Sequence, residues 1–461
     1  VHSEHGGLDH AFIEHQTEGY DSMLQKSKSI DWATLELDSG ISKEHMDEVG
    51  KVLANSKATI ACWAMGLTQQ PNGVEVIQEV VNLLLMGGHV GRPGAGLCPV
   101  RGHSNVQGDR TVGIWEAPPP SFIEKMEEGL QISIPKKHGY DVVHAIRAMR
   151  EGEVDVFFCM GGNFISATPD THATAEGLRK VGLTVQVSTK LNRSHLVTGK
   201  EAIILPCLGR TELDIQETGP QFVSVENSMG IVHQSRGGLQ PASKELRSEP
   251  WIVAHLSSHL FDDSPIQWRS MVENYDNIRD LMERSLSGFE DYNTRVRQDN
   301  GFLLPNPPRD SRTFATPSGK AQFTTHELPN VSIAEDRFVM MTIRSHDQYN
   351  TTIYDVHDRY RGLSGNRRIV LMNALDMVER GWKNKHPLSI TSHFEGEKRH
   401  SKGWMAVAYD IPRKNIATYF PEANSLVPLN STAAISNTPT SKWIQVTLDS
   451  ELPFAQGDEE E

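Results

Sequence analysis

The chain has 461 residues, of which 38% are hydrophobic and 23% charged, and its formal net charge at pH 7 is −14. This length suffices for about three domains with buried cores. The negative charge argues against a nucleic-acid partner, and no apolar run approaches the roughly 18 residues of a membrane span, so we expect neither.

The four cysteines, Cys62, Cys98, Cys159 and Cys207, are scattered, and none of them forms a Cys-x-x-Cys pair. Their spacing offers neither a zinc site nor the usual ligand set of an iron–sulfur cluster, so we expect no metal ligand from this chain. Each cysteine has apolar neighbours. We therefore expect buried thiols, a reducing compartment and a cytoplasmic location.

The first predicted elements are a buried strand over residues 58–63 and a helix over 74–86. Apolar residues recur at helical spacing from Val74 to Leu85, and Gly87-Gly88 ends the helix. The loop at 91–108 follows, and it is rich in glycine, arginine and amide side chains. Such a loop suits a large polyanionic ligand, because glycine allows close backbone approach and arginine supplies donors. An irregular loop with turn glycines is the alternative.

The middle of the chain predicts a parallel sheet covered on both faces, because its strands are almost continuously apolar. The predicted order is helix 141–150, strand 154–160, helix 170–180, and strands 183–187 and 202–206. Ligands of such sheets lie at the carboxyl ends of the strands, which here carry Gly161-Gly162-Asn163 and Ser188-Thr189-Lys190.

The two glycines at 161–162 would let a phosphate approach backbone amides, with the positive end of the following helix pointing at it. A tight turn that needs glycine for its geometry alone is the alternative. No Gly-x-Gly-x-x-Gly fingerprint is present, which disfavours a nicotinamide- or nucleotide-dependent oxidoreductase of the ordinary kind.

The last part of the chain predicts a polar connecting region with some helix near 270–286, and then a compact β-barrel. The barrel is indicated by short strands that include 338–343, 369–372 and 404–409. The segment Thr342–Thr351, which follows the first of these strands, concentrates many hydrogen-bond donors. It is either a ligand contact or an ordinary polar loop.

The loop at 91–108, with Met65–Gln69 and Asn72-Gly73-Val74 before it, resembles the pterin-binding loop of the molybdopterin oxidoreductases. This is the family of formate dehydrogenases and periplasmic nitrate reductases, and the likeness is greatest to its YdeP-like, formate-dehydrogenase-like alpha subunits. It recurs from about residue 12 to about residue 446. The opening segment 12–21 resembles one that lies well inside family members. We therefore expect the chain to be a C-terminal portion, with the N-terminal part that carries a 4Fe-4S cluster and any metal ligand absent.

The resemblance implies an α/β fold of Rossmann-like parallel-sheet domains, followed by a C-terminal β-barrel of the double-psi, molybdopterin-dinucleotide-binding kind. The expected divisions are a remnant of a pterin-binding domain (1–103), a Rossmann-like domain (104–255), a connecting region (256–335), the barrel (336–450) and an acidic tail (451–461).

The cofactor that the resemblance implies is bis-molybdopterin guanine dinucleotide with molybdenum or tungsten. The resemblance assigns Asn424 and Lys442 to the binding of this cofactor. From the residues alone, a turn role for Asn424 and a solvated position for Lys442 are equally compatible with the sequence. The residues that the resemblance assigns to cofactor binding are Gly66, Thr68, Gln69, Gly102, Ser104, Asn105, Gly161, Gly162, Asn163, Ser166, Ser188, Thr189, Asn192, Thr342, Arg344, His346, Asn350, Thr351, Asn424 and Lys442.

Two residues, Arg101 and His103, are expected to act in catalysis. Arg101 matches an arginine that orients the carboxylate beside the metal in formate dehydrogenases, and a guanidinium suits that task because it binds carboxylate through two N–H groups. A cofactor-phosphate contact or a core ion pair is the alternative for Arg101. His103 stands where formate dehydrogenases commonly carry glutamine, and its charge can change between about pH 5 and 8.

The function expected from the resemblance is formate-dehydrogenase-like two-electron chemistry on a small molecule, with formate itself as the leading candidate. Electrons would pass to an acceptor or partner subunit that the sequence does not identify. The alternative function is a non-catalytic nucleotide- or pterin-binding scaffold.

Overall fold

The structure, a computed structural model, describes residues 3–351 and 355–451, so the expected acidic tail lies outside the described residues apart from Glu451. The first region joins several helices to a parallel pair of strands. Its elements are α1 (His10–Gln16), β1 (Thr17–Glu18), α2 (Tyr20–Lys28), α3 (Trp32–Ser39), α4 (Lys43–Asn55), β2 (Ile60–Trp63), α5 (Met65–Thr68), α6 (Gly73–Met86) and β3 (Gly96–Pro99).

Helix α6 connects the parallel strands β2 and β3, and it confirms the helix predicted over 74–86. Its Leu84 and Leu85 are buried in a cluster with Phe12 of α1. Burying an apolar side chain of this size contributes about 1.5–3 kcal/mol. This packing fixes the strand pair, and with it the two loops that leave the carboxyl ends of β2 and β3.

The middle region contains the predicted parallel sheet, whose strand order is β4-β5-β6. Helices α9 and α11 pack on it through a core that includes Val143, Ile146 and Leu178. The elements of this region are α7 (Val106–Thr111), α8 (Pro120–Leu130), α9 (Val142–Glu151), β4 (Val156–Met160), α10 (Phe164–Ala167), α11 (Thr171–Lys180), β5 (Leu183–Ser188) and β6 (Glu201–Pro206).

The expectation that this sheet is covered on both faces is wrong for the described chain. Val156, Phe158 and Met160 of β4 are 55%, 36% and 40% exposed, and Ile203 of β6 is 44% exposed. All four belong to the outer strands, whereas Val185 and Val187 of the central strand β5 are buried. The apolar runs predicted burial on both faces, but the outer strands leave apolar side chains exposed in the described chain.

The third region links the middle sheet to the barrel and has its own core around Phe222, Leu286 and Tyr292. Its α14 confirms the helix expected near 270–286. The elements are β7 (Ile215–Gln216), β8 (Gly219–Pro220), β9 (Val223–Glu226), β10 (Ile231–Ser235), α12 (Glu249–Leu260), α13 (Ser270–Glu273), α14 (Asp276–Ser285), α15 (Tyr292–Arg295), β11 (Phe302–Leu303), α16 (Pro307–Ser311) and β12 (Ala321–Gln322).

The C-terminal region confirms the predicted β-barrel, which closes in the order β13-β17-β14-β16-β15-β18. Met340, Val370 and Leu388 from three of its strands are fully buried inside it. The elements are β13 (Phe338–Ile343), β14 (Ile369–Met372), α17 (Ala374–Glu379), β15 (Pro387–Phe394), β16 (Glu397–Ala408), β17 (Asn415–Tyr419) and β18 (Ile444–Ser450).

The barrel contacts the middle region through buried polar groups. The side-chain amide of Asn424 donates to the carbonyl of Ser166 at 2.7 Å, and the N–H of Asp170 donates to the carbonyl of Asn424 at 3.0 Å. Asp170 also forms a 2.7 Å ion pair with Arg399 of β16. These bonds hold one end of the barrel against α10 and the start of α11. Among the described helices, none is long and apolar enough to cross a lipid bilayer.

Candidate functional site

Strand β13 of the barrel ends beside the loop that follows β2. Thr342 of β13 is buried, its N–H donates to the carbonyl of Ser441 at 2.9 Å, and its carbonyl accepts a hydrogen bond from the Lys442 ammonium group. The N–H of Lys442 donates to the carbonyl of Gln69 at 3.1 Å. Three residues expected at a cofactor, from distant parts of the sequence, therefore meet at this end of the barrel.

Lys442 belongs to a group of three basic side chains, which we call the cationic cluster: Lys442, Arg344 and His103. Burial, together with the charge of Arg344, lowers the pKa of Lys442 to about 8. Burial lowers the pKa of His103 and of Arg344, and the charge of Arg344 adds to the effect on His103. No carboxylate of residues 3–351 or 355–451 forms an ion pair with any of the three. Partly buried cations such as Lys442 and Arg344, without a counter-charge among the described residues, favour the binding of an anion.

Aromatic rings lie against the cationic cluster. The guanidinium carbon of Arg344 is 5.2 Å from the centroid of the Phe420 ring, and the rings of His103 and Tyr349 have centroids 5.1 Å apart. A cation over an aromatic face gains about 0.5–1 kcal/mol at an exposed site and more when it is desolvated. Phe420 therefore offsets part of the cost of removing Arg344 from water.

Arg101 lies in the loop after β3, with its side chain exposed. Its N–H donates to the hydroxyl of Ser228 at 3.0 Å, which holds the backbone of the loop. Its Nε and Nη2 contact Oε1 of Gln107 at 3.4 and 3.3 Å, distances at the long limit of a hydrogen bond. The guanidinium therefore has donors left for a ligand, and the core ion pair considered for it is not present in the described chain.

The next residues of the same loop are held by the third region. The hydroxyl of Ser104 accepts a hydrogen bond from Arg210, whose Nε and Nη2 donate to the hydroxyl of Ser235 at 3.2 and 3.0 Å. The side-chain oxygen of Asn105 accepts from the N–H of Glu226 at 3.0 Å. Asn105 has a φ of 65°, a left-handed conformation that asparagine tolerates. Both side chains therefore support the loop, whereas Gly102 is exposed and open.

The loop after β4 is open at its glycines. Gly161 and Gly162 have φ values of 69° and 77°, and a Cβ built on Gly162 would meet nothing within 4 Å. These left-handed conformations favour glycine over any other residue. The helix that follows, α10, has only four residues. The N–H of Gly161 donates to the carbonyl of Val187 at 2.8 Å, whereas the space beside Gly162 is open to close approach.

The polar side chains near these glycines are bound to one another. Asn192 donates to the carbonyl of Gly162 at 2.8 Å, and the Ser194 hydroxyl donates to the Asn163 side-chain oxygen at 3.1 Å. The Ser188 hydroxyl donates to the carbonyl of Lys190 at 2.8 Å. Asn424 is buried and bound to Ser166, as described above. Among the expected polar side chains of this part only that of Thr189 is exposed.

The segment after Arg344 turns back along the barrel. His346 is exposed, stacks on Tyr360 with ring centroids 4.1 Å apart, and lies 3.5 Å from the carboxylate of Asp358. Asn350 has a φ of 46°, and its carbonyl accepts from the Gln348 amide at 2.7 Å. The Thr351 hydroxyl is buried and has no hydrogen-bond partner among the described residues.

The loop before α6 contains the remaining residues that are expected to bind the cofactor. Gly66 is exposed with open space around it, and Thr68 is half-buried at the end of α5. The carbonyl of Pro71 accepts from the N–H of Ala434 at 3.2 Å, which is a second contact between this loop and the barrel. The loop after β2 and the end of β13 are therefore joined by backbone hydrogen bonds.

Comparison with known proteins explains this combination of loops. The sequence model described as "Molybdopterin oxidoreductase" matches residues 28–257. The chain belongs to the molybdopterin oxidoreductase family. The match spans the loops after β2, β3, β4 and β5, which carry most of the expected cofactor residues.

Relatives in the family are known from several bacteria. The chain is 48% identical over 448 residues to an uncharacterized oxidoreductase of Mycobacterium tuberculosis and 42% identical over 448 residues to protein YdeP of Escherichia coli. Each alignment covers 96% of this chain and 58% or 59% of the relative, so the chain spans under two thirds of the length of these relatives. The fold also matches acetylene hydratase from Pelobacter acetylenicus, with a TM-score of 0.68, 13% identity, and coverage of 97% of this chain and 68% of that one.

The residues present fit the phosphate-bearing pterin that the family name implies. Among the described residues the cationic cluster has no carboxylate ion-pair partner, the space beside Gly162 is open, and the Thr351 hydroxyl is buried without a hydrogen-bond partner. Among the described residues no three His, Cys, Asp or Glu side chains converge to hold a metal ion. The chain thus offers contacts for phosphate, hydroxyl and amide groups.

Four residues that sequence reasoning did not select lie at the site: Ser228, Arg210, Glu226 and Tyr349. Glu226 is 6% exposed, burial raises its pKa, and its Oε2 has no hydrogen-bond partner in the described chain. A carboxylate at the end of the apolar strand β9 is the signal that could have selected it. Ser228 and Arg210 lack such a signal, since they reach the site through tertiary contacts alone, whereas Tyr349 lies in the polar segment 342–351 that the sequence singles out.

The expectation of four buried thiols is wrong. Cys207 is buried and Cys98 and Cys159 are intermediate, but Cys62 of β2 is exposed. Apolar neighbours in sequence did not predict burial, because β2 leaves one face of its strand pair open to solvent in the described chain.

Proposed function

We propose that this chain is the part of a molybdenum or tungsten oxidoreductase that binds bis-molybdopterin guanine dinucleotide and performs formate-dehydrogenase-like two-electron chemistry on a small molecule. The observation that carries the proposal is the cationic cluster at the end of β13, without a carboxylate partner in the described chain. When bound, the cofactor supplies two-electron redox chemistry at its metal.

In this proposal the cationic cluster binds phosphate and pterin oxygens. Lys442 is oriented by its bond to the Thr342 carbonyl and by the link of its N–H to Gln69. Arg344 offers a guanidinium that no acid of the described chain occupies, and such a group binds phosphate through two parallel N–H bonds. The backbone at Gly162, which has open space beside it, and the exposed Thr189 would contact the nucleotide arm.

Arg101 would orient the carboxylate of the substrate, because its guanidinium is exposed and only loosely held by Gln107. His103 would accept a proton beside it. Burial and Arg344 lower the pKa of His103, so its ring is neutral and able to accept a proton at neutral pH. Formate is the proposed substrate, since it is the smallest carboxylate with a transferable hydrogen.

Several parts of the working enzyme would come from outside this chain. We propose that a 4Fe-4S cluster and a protein ligand to the metal belong to the N-terminal portion of the relatives, that a partner subunit or soluble acceptor receives the electrons, and that the enzyme acts in the cytoplasm. The coverage of 58% of the relative from Mycobacterium tuberculosis leaves room for these elements.

The same coverage favours a second candidate, a non-catalytic fragment that binds a nucleotide or a pterin without turnover. The test is to express the 461-residue chain anaerobically with molybdate or tungstate and to measure metal by mass spectrometry and pterin by fluorescence after oxidation. We expect metal and pterin in the wild type and in Arg368→Met, a control on the exposed side of the barrel, and loss of both in Arg344→Met. Binding of GDP without metal or pterin would favour the second candidate.

A further inference from the structure

Two cysteines face each other at the base of the loops that carry the site. Strands β2 and β3 are parallel neighbours, and Cys62 lies directly opposite Cys98 in their register. Neighbouring strands are about 4.8 Å apart, which falls inside the range of about 4.4–6.8 Å between Cα atoms that disulfides span. Directly opposed residues of neighbouring strands project to the same face, and the two thiols are within hydrogen-bonding reach of each other.

The two thiols have different surroundings. Cys62 is exposed, whereas Cys98 is partly buried, and burial together with the nearby Cys62 raises the pKa of the Cys98 thiol. An oxidant from solution therefore meets Cys62 first. Cys98 is placed to attack the sulfur of Cys62 once that sulfur has been oxidised.

We propose that Cys62 and Cys98 form a reversible intrachain disulfide with each other. The oxidant is a low-molecular-weight disulfide such as oxidised glutathione. The thiolate of Cys62 attacks the glutathione disulfide, forms a mixed disulfide and releases one glutathione thiolate. The thiolate of Cys98 then attacks Cys62, forms the intrachain bond and releases the second glutathione. The two protein thiols lose two protons and two electrons, and oxidised glutathione becomes two reduced molecules.

The position of the pair gives the bond a structural effect. The carboxyl end of β2 leads to Gly66 and Gln69, and the carboxyl end of β3 leads to Arg101, while the N–H of Val100 already donates to the carbonyl of Trp63 at 2.8 Å. A covalent link between the strands would fix the distance between the two loops. Formation of the bond is independent of the proposed function, and only its effect on the loops bears on the cofactor.

Cys159 and Cys207 provide internal controls. The Cys159 thiol donates to the carbonyl of Gly161 at 3.3 Å and burial raises its pKa. Burial raises the pKa of Cys207 to about 11. Both thiols should therefore remain reduced under conditions in which Cys62 reacts.

The test incubates the dilute 461-residue chain with oxidised glutathione and maps its peptides by mass spectrometry without reduction. We expect one linked species that joins the peptides of Cys62 and Cys98, lighter by two hydrogens, reversed by dithiothreitol. Cys98→Ser should instead hold a stable glutathione adduct on Cys62, and Cys62→Ser should react much more slowly. A wild-type chain that keeps glutathione on Cys62 with Cys98 free, that links Cys62 between two chains, or that does not react at all would overturn the proposal.

Discussion

The barrel-side cationic cluster and the strand-end loops of the middle sheet are both expected to contact one cofactor, but their chemistry differs. In the cluster, the cations Lys442 and Arg344 have no carboxylate ion-pair partner among the described residues, and His103 beside them is a base whose pKa is lowered by burial and by Arg344. At the strand ends, Asn163 and Asn192 are neutral and bound to neighbouring groups. One site can thus contain charged groups that attract a ligand and neutral groups whose hydrogen bonds only stabilise the conformation of its loops.

This difference separates residues by the property that a substitution should change. Loss of a charge that has no carboxylate partner should weaken anion binding more than it affects folding, because no ion pair of the described chain is broken. Loss of a buried amide should destabilise the fold, because it leaves its partners without a hydrogen bond. The four predictions that follow use this distinction.

The largest effect is expected for Arg101→Lys in the cofactor-loaded enzyme that contains this chain. Lysine keeps the charge but cannot make a bidentate bond to a carboxylate, so kcat/KM should fall about 30- to 1000-fold with unchanged cofactor content. Steady-state kinetics with formate and metal analysis measure both quantities, and Arg150→Lys on the surface is the control. Release of the cofactor by Arg101→Lys would assign Arg101 to a phosphate instead.

The next effect concerns the charge of Lys442. Its pKa is lowered to about 8, so it is protonated below that pH and sulfate should bind more weakly as the pH rises through about 8. Lys442→Met should lower sulfate affinity about 10- to 150-fold below pH 8 and flatten the pH dependence, because one charge-assisted bond of about 1.5–3 kcal/mol is lost. Calorimetric titration measures this, with Lys402→Met as the control. A wild type without pH dependence would contradict the lowered pKa.

Asn424→Ala should act on stability and leave sulfate binding unchanged. It removes the bond from the Asn424 side chain to the Ser166 carbonyl, which is buried between the barrel and the middle region. We expect a loss of about 1–3 kcal/mol in the free energy of unfolding, measured with urea. The exposed Asn300→Ala is the control. Weaker sulfate binding with unchanged stability would place Asn424 among the ligand contacts.

The smallest effect is expected for a matched pair of glycines. Gly162 and Gly152 have φ values of 77° and 79°, and neither has an atom within 4 Å of a built Cβ. Alanine at either position should cost about 1 kcal/mol of unfolding free energy, since both are left-handed. Only Gly162→Ala should also weaken GDP binding. Equal GDP affinity in the two variants would mean that the Gly162 backbone does not contact the nucleotide.

Periodicity predicted the regular elements well. The apolar spacing from Val74 to Leu85 gave helix α6, and the apolar runs near 154–160 and 183–187 gave β4 and β5 of the parallel sheet. Helices α2 to α4 went unpredicted. The apolar content of β4 could not show that one of its faces is exposed. A run of apolar residues shows that both faces of the strand are apolar, but it does not show which face other elements cover.

The candidate site was less accessible to sequence reasoning than the fold. The residue pattern and the family resemblance together selected Arg344 and Lys442, which meet His103 in the structure. Neither could show that Asn424 is used within the fold, because its partner Ser166 is 258 positions away. Ser228 was missed for the same reason, since its partner Arg101 is 127 positions away. Hydrogen bonds between distant segments leave no periodic signal.

The exposed apolar residues of the middle sheet affect the solubility of the purified chain. The sheet exposes apolar side chains, among them Val156, Phe158 and Ile203, and such a surface favours association between molecules. The net charge of −14 opposes this association by electrostatic repulsion. Added salt shortens the range of that repulsion to about 8 Å at 0.15 M, and sulfate strengthens apolar association. The chain should therefore be handled in dilute chloride buffers, and it should precipitate early in an ammonium sulfate cut.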